Sequence, residues 1–391
     1  MTGNAVYLDN AATTPLRPEV LQAMEPYLGG GLFGNPSSPH RFGRESRAGL
    51  NRARITIAEA LGAEPKDVVF CSGGTEADNL AVLGAALAAR ARGDPFRVAV
   101  SAVEHKAVLA AAHTVEELGG ECVVLPVDRE GRLELEALDE ALSRGVAVVS
   151  VMWVNNETGV IQDVPAIAAR CREAGVPFHT DAVQAVGKVS CSAAIAGCTL
   201  LTVSAHKIGG PKGVGALIVR DRSAIAPLIR GGGQQGGLRP GTENVAGIAG
   251  LAEAVRLAVA EVEEFRHTVG RLRDLLEQRV LEAIPDATVN GAGAPRAPHV
   301  SNISIPGTDS EAMLMHLDLA GVACSSGSAC TTGSVEPSHV LKAMGVPYER
   351  AIAALRFSLG RQNTEADVDF LLSRLPGIVG KVRSLAGVLG R

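Results

Sequence analysis

Residues 200–207 read Leu200-Leu201-Thr202-Val203-Ser204-Ala205-His206-Lys207, an apolar, β-rich run that passes into polar side chains. Similar β-rich runs precede it at 67–71, 97–100, 146–151 and 176–179, and they alternate with helix-like stretches at 46–60, 76–92, 108–118, 135–143 and 164–174. This alternation predicts a doubly wound α/β unit with a mostly parallel sheet. Because the runs are apolar throughout, we expect helices to cover both faces of that sheet.

The pattern changes after a glycine-rich loop at 231–237. We expect one long helix over 245–283, because charged and apolar residues follow each other there in helical alternation. Beyond it the alternation restarts on a smaller scale, with strands at 299–305 and 355–358, a helix at 310–320, a short apolar run at 321–324 and a closing helix from Thr364. The sequence therefore predicts a second, smaller α/β unit joined by the long helix.

Composition excludes several classes of protein. The 391 residues carry 37 Lys and Arg against 42 Asp and Glu, and this net charge of −5 argues against nucleic-acid binding. No apolar stretch approaches the ~20 residues that cross a bilayer, and residues 1–9 lack the pattern of a secretory signal. The seven scattered cysteines show no C-x-x-C spacing, which indicates neither a disulfide framework nor a metal site. A reduced, cytoplasmic compartment is the simplest interpretation.

Polar residues follow five of the predicted strands, at 72–76, 104–105, 153–159, 179–184 and 204–207. The carboxyl ends of the strands in an open α/β sheet line one crevice, where ligands bind. Residues 72–76 read Ser-Gly-Gly-Thr-Glu and open a helix, so they form either a cradle for an anion or only a tight turn. Together the five strand ends bring an anion cradle, a histidine, amides, a carboxylate and a lysine to one crevice.

Lys207 is one of only seven lysines and directly follows an apolar strand. A lysine desolvated in a pocket has a lowered pKa and can form a Schiff base with an aldehyde. Asp181, one strand away, is placed to serve as the counter-ion of a pyridinium nitrogen. With a phosphate cradle, these groups meet the requirements of pyridoxal 5′-phosphate.

A second signal is the loop at 325–333, which reads Ser-Ser-Gly-Ser-Ala-Cys-Thr-Thr-Gly and contains Cys330. A thiol in such a loop is either a nucleophile, if its thiolate is stabilised, or a free surface cysteine. Cys324 ends an apolar run and is expected to pack as a small hydrophobe. Arg356 lies within an apolar strand, so its charge needs either a substrate carboxylate or a structural ion pair.

An ordered series of motifs resembles the cysteine desulfurases of the class V aminotransferase superfamily, whose members share the fold-type I architecture of pyridoxal-phosphate enzymes. The motifs run nearly from end to end, at 7–15, 33–38, 71–79, 154–157, 179–184, 204–207 and 239–242. The loop at 325–330 is similar to that of the long-loop group I enzymes, which serve nitrogenase and general iron–sulfur cluster assembly. The sequence departs from the pattern at Gln235-Gly236, where relatives often carry charged residues.

The resemblance implies a large cofactor-binding domain over 16–260 and a small domain formed by 1–15 with 261–391. Lys207 would hold the cofactor covalently, and Asp181 would pair with its ring nitrogen. His105 would stack on the ring and act as a catalytic residue that assists proton transfers. The other implied cofactor contacts are Asn156 and Gln184 to the phenolic oxygen, and Gly74, Thr75, Ser204, His206 and Thr242, the last from the partner subunit of a homodimer, to the phosphate. Arg356 would bind the substrate carboxylate, supported by Asn35 and Asn156.

The implied reaction removes sulfur from L-cysteine. Lys207 would take the Cα proton, and the Cys330 thiolate would attack the substrate sulfur, leaving a persulfide on Cys330 and releasing L-alanine. An acceptor protein, such as an iron–sulfur scaffold, would receive the sulfur for cluster assembly or tRNA thiolation. The alternatives are a selenocysteine lyase or a small-substrate transaminase on the same scaffold, and a non-catalytic sulfur or iron scaffold that uses Cys324 and Cys330.

Overall fold

The structure, a computed structural model, describes residues 5–29, 31–191, 197–327, 329–331 and 334–389. The strands in these ranges are β1 (Val6–Tyr7), β2 (Val68–Cys71), β3 (Arg97–Ser101), β4 (Glu121–Leu125), β5 (Val148–Ser150), β6 (Phe178–Asp181), β7 (Leu200–Ser204), β8 (Gly215–Val219), β9 (Thr288–Val289), β10 (Val300–Ser304), β11 (Val322–Ala323), β12 (Ala329–Thr331), β13 (Ser334–Glu336) and β14 (Ala354–Ser358). The helices are α1 (Pro18–Leu28), α2 (Arg41–Leu61), α3 (Gly74–Arg92), α4 (Lys106–Glu117), α5 (Leu135–Ser143), α6 (Val164–Glu173), α7 (Val245–Ala260), α8 (Val262–Ala283), α9 (Ser310–Leu319), α10 (His339–Ala343), α11 (Tyr348–Ala351), α12 (Glu365–Leu372) and α13 (Leu375–Leu389).

Seven strands form the central sheet, in the order β2-β8-β7-β6-β5-β3-β4. The strands from β7 to β4 in this order run parallel, whereas β8 is antiparallel to both of its neighbours. All five strands that the sequence predicts for this sheet are present, so the doubly wound, mostly parallel fold is confirmed. The structure adds β8 and the edge strand β4, and it corrects the prediction of five strands.

Successive apolar residues of β2, β3, β5, β7 and β8 enter two different buried clusters, as the alternation of side chains in a strand requires. Phe70, Ala99 and Val149 pack on one face with α2, α5, α6 and α7. Val98 and Val148 pack on the other face with α3 and α4. Helices therefore cover both faces of the sheet, which explains why most of its strands are apolar runs.

A smaller unit follows the central sheet. Its strands are ordered β14-β10-β9, and β1 pairs in parallel with β11. Helices α8, α9, α12 and α13 enclose a third buried cluster with these strands. The partly buried Cys324 packs against this cluster as a small hydrophobe, as the sequence predicts.

The prediction of a single helix over 245–283 is wrong, because the helix is interrupted at Glu261. Glu261 leaves helical geometry, and its carboxylate binds Arg17 at 2.7 Å and Arg361 at 2.9 Å. These arginines lie far away in sequence, so helical periodicity carries no sign of the break. The closing segment also forms two helices, α12 and α13, rather than one.

The topology places the carboxyl ends of β2, β3, β5, β6 and β7 at one edge of the central sheet. Each of these strands leads, within three residues of its end, into one of the polar segments singled out in the sequence. None of the helices in the described residues has both the length and the apolar character needed to cross a membrane.

Candidate active site

A cavity of about 380 Å³ opens at this edge of the sheet. It contains nine of the ten predicted cofactor contacts, together with the predicted substrate ligand Arg356. Its lining residues are Ala11, Ala12, Gly74, Thr75, Asp78, His105, Met152, Asn156, Asp181, Val183, Gln184, Ser204, His206, Lys207 and Arg356. The polar strand ends therefore converge on one space, as the strand-end argument requires.

Lys207 lies in a short turn directly after β7. Its Nζ donates to the carbonyl oxygens of Ala11 and Ala12, at 2.7 Å each. Burial, and next the positive charge of Arg356, lower the pKa of Lys207 to about 8. The amine is held by carbonyl oxygens rather than by a carboxylate. Part of the Lys207 amine is therefore neutral, and so nucleophilic, near neutral pH.

Two buried carboxyl groups line the cavity together with the lysine. Asp181 ends β6, and its Oδ1 accepts the N–H of Val183 at 2.9 Å. Burial raises the pKa of Asp181, while this hydrogen bond and nearby positive charges oppose the rise. Asp78 on α3 has a pKa well above its usual value, first through burial and then through the charge of Asp181. A carboxyl group in this state readily shares a proton with a ring nitrogen.

His105 is the residue that caps the N-terminus of α4. Its Nδ1 accepts the N–H of Ala107 at 3.2 Å, so the neutral ring carries its proton on Nε2. Solvent reaches the ring through the open cavity, but the protein around it still lowers the pKa of His105, mainly through burial. The imidazole is therefore neutral at pH 7 and can lie against a cationic ring.

The start of α3 forms the anion cradle. Gly74 is the first residue of this helix, where unpaired N–H groups and the helix dipole favour negative charge. A Cβ at Gly74 would lie 3.2 Å from the Val183 side chain and 3.7 Å from that of Ser204. The glycine thus lets the helix approach β7 closely, and His206 lies on the same wall, held to Thr13 Oγ1 at 3.1 Å.

Arg356 lies in β14 with its guanidinium almost fully buried. Its Nη2 binds Asp9 at 2.8 Å, and its Nη1 donates to the carbonyl oxygen of Asn156 at 3.0 Å. The structural ion pair that the sequence left open is therefore present. Nε is also buried and has no hydrogen-bond partner among the described residues, while the residue itself lines the cavity.

Three predicted site residues are not found in the cavity. Asn35 is exposed, and its Oδ1 accepts the N–H of Ser37 at 2.9 Å. Thr242 is also exposed. The backbone of Cys330 lies in the β12–β13 hairpin opposite Val335, but its side chain is outside the described part of the structure.

The sequence argument missed several residues that shape the cavity. Ala11 and Ala12 act through main-chain carbonyls, so no side-chain type marks them. Asp9 precedes them and pairs with Arg356 from the other end of the chain. Asp78 carried a detectable signal, because it is a charged residue among the apolar positions of α3.

These residues fit pyridoxal 5′-phosphate. One cavity joins a helix N-terminus suited to a phosphate, an amine with a lowered pKa suited to an aldehyde, and a buried carboxyl suited to a ring nitrogen. Two of its lining residues, Asp78 and Arg356, each keep one buried polar atom without a protein partner in the described structure. These two groups leave hydrogen-bonding capacity for a polar ligand.

Similar proteins support the same interpretation. Over 381 residues the chain is 45% identical to "Cysteine desulfurase IscS" of Dictyoglomus turgidum, covering 97% of this chain and 96% of that protein. A solved structure described as a NifS-like protein has a TM-score of 0.88 at 33% identity, covering 96% of this chain and all of the other. Another solved structure, described as SspA in complex with cysteine, has a TM-score of 0.77 at 32% identity, covering 90% of this chain and 98% of the other.

The resemblance to cysteine desulfurases is thereby confirmed, and with it the expectation of a pyridoxal-phosphate enzyme. The profile of one family, described as aminotransferase class-V, matches residues 6–371. That range includes every residue that lines the cavity. The chain belongs to the class-V aminotransferase family.

Proposed function

We propose that this protein is a cysteine desulfurase that transfers the sulfur of L-cysteine to Cys330. The observation that carries the proposal is the position of Lys207, which shares one cavity with Asp181, the α3 cradle and Arg356. Relatives named cysteine desulfurase match almost the whole chain, which supports the assignment of the activity.

The lining residues would hold pyridoxal 5′-phosphate at defined positions. The start of α3, with Ser204 and His206, suits the phosphate, Asp181 suits the ring nitrogen, and Asn156 and Gln184 suit the phenolic oxygen. When bound, the cofactor supplies an electron sink for negative charge at the substrate Cα. Asp181 favours that state by keeping a proton on the ring nitrogen.

Arg356 is the group best placed to bind the carboxylate of L-cysteine. Each of its Nη atoms has one spare hydrogen, and together these allow a bidentate contact while the bonds to Asp9 and to the carbonyl oxygen of Asn156 persist. Asp9 holds the guanidinium in place before substrate arrives, so less side-chain entropy is lost on binding.

Lys207 would move the proton. With a pKa near 8 its amine accepts the Cα proton and returns it near neutral pH, because both protonation states are populated. The carbonyls of Ala11 and Ala12 keep Nζ within the cavity when it is not bound to cofactor.

Sulfur transfer would take place at Cys330. Its thiolate attacks the sulfur of the substrate, an S–S bond forms, and the C–S bond breaks with its electron pair left on the β-carbon. Protonation of that carbon gives L-alanine, so L-cysteine and one thiol yield L-alanine and one persulfide without an added oxidant or reductant.

The described ends of the loop support this placement. Ser325 forms a two-way backbone bridge to Arg356, at 2.7 and 3.1 Å. Gly327 lies so close to Glu157 that a Cβ there would be 1.8 Å from its carboxylate. Both contacts fix the start of the Cys330 segment beside the candidate substrate ligands.

The test is to incubate the purified protein with L-cysteine and to measure alanine together with the mass of the Cys330 peptide. We expect one added sulfur on this peptide and alanine formation without a 2-oxo acid. Cys330→Ser should abolish both in the absence of other thiols, whereas the matched control Cys324→Ala should retain both. Undiminished persulfide and alanine in Cys330→Ser would refute the assignment, and a requirement for a 2-oxo acid would indicate a transaminase.

The proposal includes a homodimer in the cytoplasm, with a separate protein as sulfur acceptor. Thr242 is exposed and lies outside its own cavity, which supports a role at the site of a second subunit. The large domain would cover 16–260, and 1–15 would join 261–391, which is supported by the pairing of β1 with β11. The sequence of the loop at 325–333 supports the assignment to group I.

A mixture of two variants, each with a defect in one of the two residues, tests the shared site. After co-refolding, a dimer of Lys207→Ala with Thr242→Ala contains one cavity in which Lys207 of one chain meets Thr242 of the other. Activity should rise above that of either variant alone. Additive activities would show that the two residues act in one chain.

A further inference from the structure

Lys188 is the most deeply buried lysine of the chain, with 4% of its surface exposed, and the proposed reaction gives it no role. It lies in the turn after β6, four residues beyond Gln184, so both side chains project from the same face of the turn. Gly187 permits this packing, because it adopts φ +73° and a Cβ there would lie 2.4 Å from Ala258 Cβ on α7. The turn therefore sits directly against α7 and encloses Lys188.

The hydrogen bonds of this cluster define one orientation of the Gln184 amide. Lys188 Nζ donates to Gln184 Oε1 at 2.8 Å, and His299 Nε2 contacts the same oxygen at 3.0 Å. Gln184 Nε2 donates to the carbonyl oxygen of Ala11 at 2.9 Å. A flipped amide would place its NH₂ group against the Lys188 amine and its oxygen against the carbonyl oxygen of Ala11. His299 consequently carries its proton on Nε2.

The amine of Lys188 makes no ion pair in the described structure. Its pKa is lowered well below the usual value, first by burial and then by the charge of Lys207, while Asp181 opposes the shift. His299, on the other side of Gln184, is neutral, because burial lowers its pKa as well. A buried amine without an ionic partner destabilises a fold. The presence of Lys188 at this position therefore indicates a role that compensates for this cost.

We infer that Lys188 is a positioning residue: it holds Gln184 Oε1 so that the amide N–H groups face the cofactor cavity. This inference rests on the proposed function, in which Gln184 contacts the phenolic oxygen of the cofactor. One N–H of Gln184 binds Ala11, and the second remains to donate to that oxygen. Such a donor stabilises negative charge on the phenolic oxygen and lowers the proton affinity of the imine nitrogen that joins the cofactor to Lys207.

The test replaces Lys188 by methionine, which has a similar length but no donor. The pH titration of the cofactor absorbance reports the pKa of the imine. We expect this pKa to rise by about one unit in Lys188→Met, as the loss of one hydrogen bond predicts, and cofactor affinity to fall roughly 5–10-fold. Lys188→Gln, which restores an N–H donor, should recover part of both. Lys66→Met, the same change at a surface lysine, should alter neither.

Thermal unfolding of the cofactor-free protein separates positioning from a structural role. Since methionine removes a buried amine and His299 still binds Gln184, Lys188→Met should unfold at the same or a higher temperature than the parent. A lower unfolding temperature with an unchanged titration would overturn the inference, as would cofactor affinity and titration equal to the parent's. Failure of the parent itself to bind the cofactor would instead overturn the proposed function.

Discussion

The lowered pKa of Lys207 leads to a quantitative prediction about cofactor capture. With a pKa of about 8, about 10% of the amine is neutral at pH 7, against about 0.03% for an ordinary lysine with a pKa of about 10.5. The rate at which the cofactor-free protein forms an imine with pyridoxal 5′-phosphate should therefore exceed that of a free lysine by roughly 300-fold at pH 7 and level off above pH ~8.

Two substitutions should move this inflection in opposite directions. Arg356 lowers the pKa of Lys207, and Asp9 raises it. Arg356→Gln should thus shift the inflection upward, and Asp9→Asn should shift it downward, each by roughly half a unit or more. Stopped-flow absorbance of imine formation across pH 6–10 gives both values, and Lys207→Ala supplies the background rate.

The reasoning is refuted if the parent inflects near the value of a free lysine. It is also refuted if the two substitutions shift the inflection in the same direction, because the charges of Arg356 and Asp9 have opposite signs. A common shift would mean that the change in burial, rather than charge, controls the amine.

Three other expectations concern stability and the cysteine loop. Gly187→Ala should lower the free energy of unfolding by about 2–4 kcal/mol, because the added methyl group clashes with Ala258 and the backbone has a left-handed φ. The control Gly175→Ala has a similar φ but open space around it, so it should lower the free energy of unfolding by only about 1 kcal/mol. Denaturant titrations measure both values. Burial raises the pKa of Glu104 to about 8. The folded state therefore binds a proton that the unfolded state has lost, and the free energy of unfolding falls as pH rises from about 4.5 to 8. Glu104→Gln should make Tm less dependent on pH, by about 2 °C or more over this range. Gly327→Ala, whose methyl group would collide with Glu157, should lower kcat for alanine formation about tenfold or more with a smaller change in KM, and an unchanged kcat would show that this contact is dispensable.

The central sheet was predictable because its strands bury both faces and therefore read as apolar runs. The same rule explains why β4 was not predicted, because only Leu125 of this edge strand is fully buried. The break between α7 and α8 was not predictable, because the ion pairs of Glu261 join segments that are distant in sequence.

The candidate site was largely predictable, since Asp181 and Lys207 come directly after neighbouring strands. The contributions of the main chain could not be predicted, because Ala11 and Ala12 bind Lys207 through carbonyl groups that every residue possesses. Lys188 was also missed: in the sequence it looks like a surface lysine, and only its packing beneath Gln184 distinguishes it.

The floor of the cavity has a consequence for the order of events during synthesis. Residues 6–14 supply the carbonyls that hold Lys207, yet Asn10 is fixed by Ser358, 348 residues further along the chain. At about 5–20 residues per second, a ribosome needs roughly 20–70 s to make the intervening polypeptide. Throughout that interval Asn10 lacks its partner Ser358, so a nascent chain acquires a finished vitamin-binding pocket only after β14 has been synthesised.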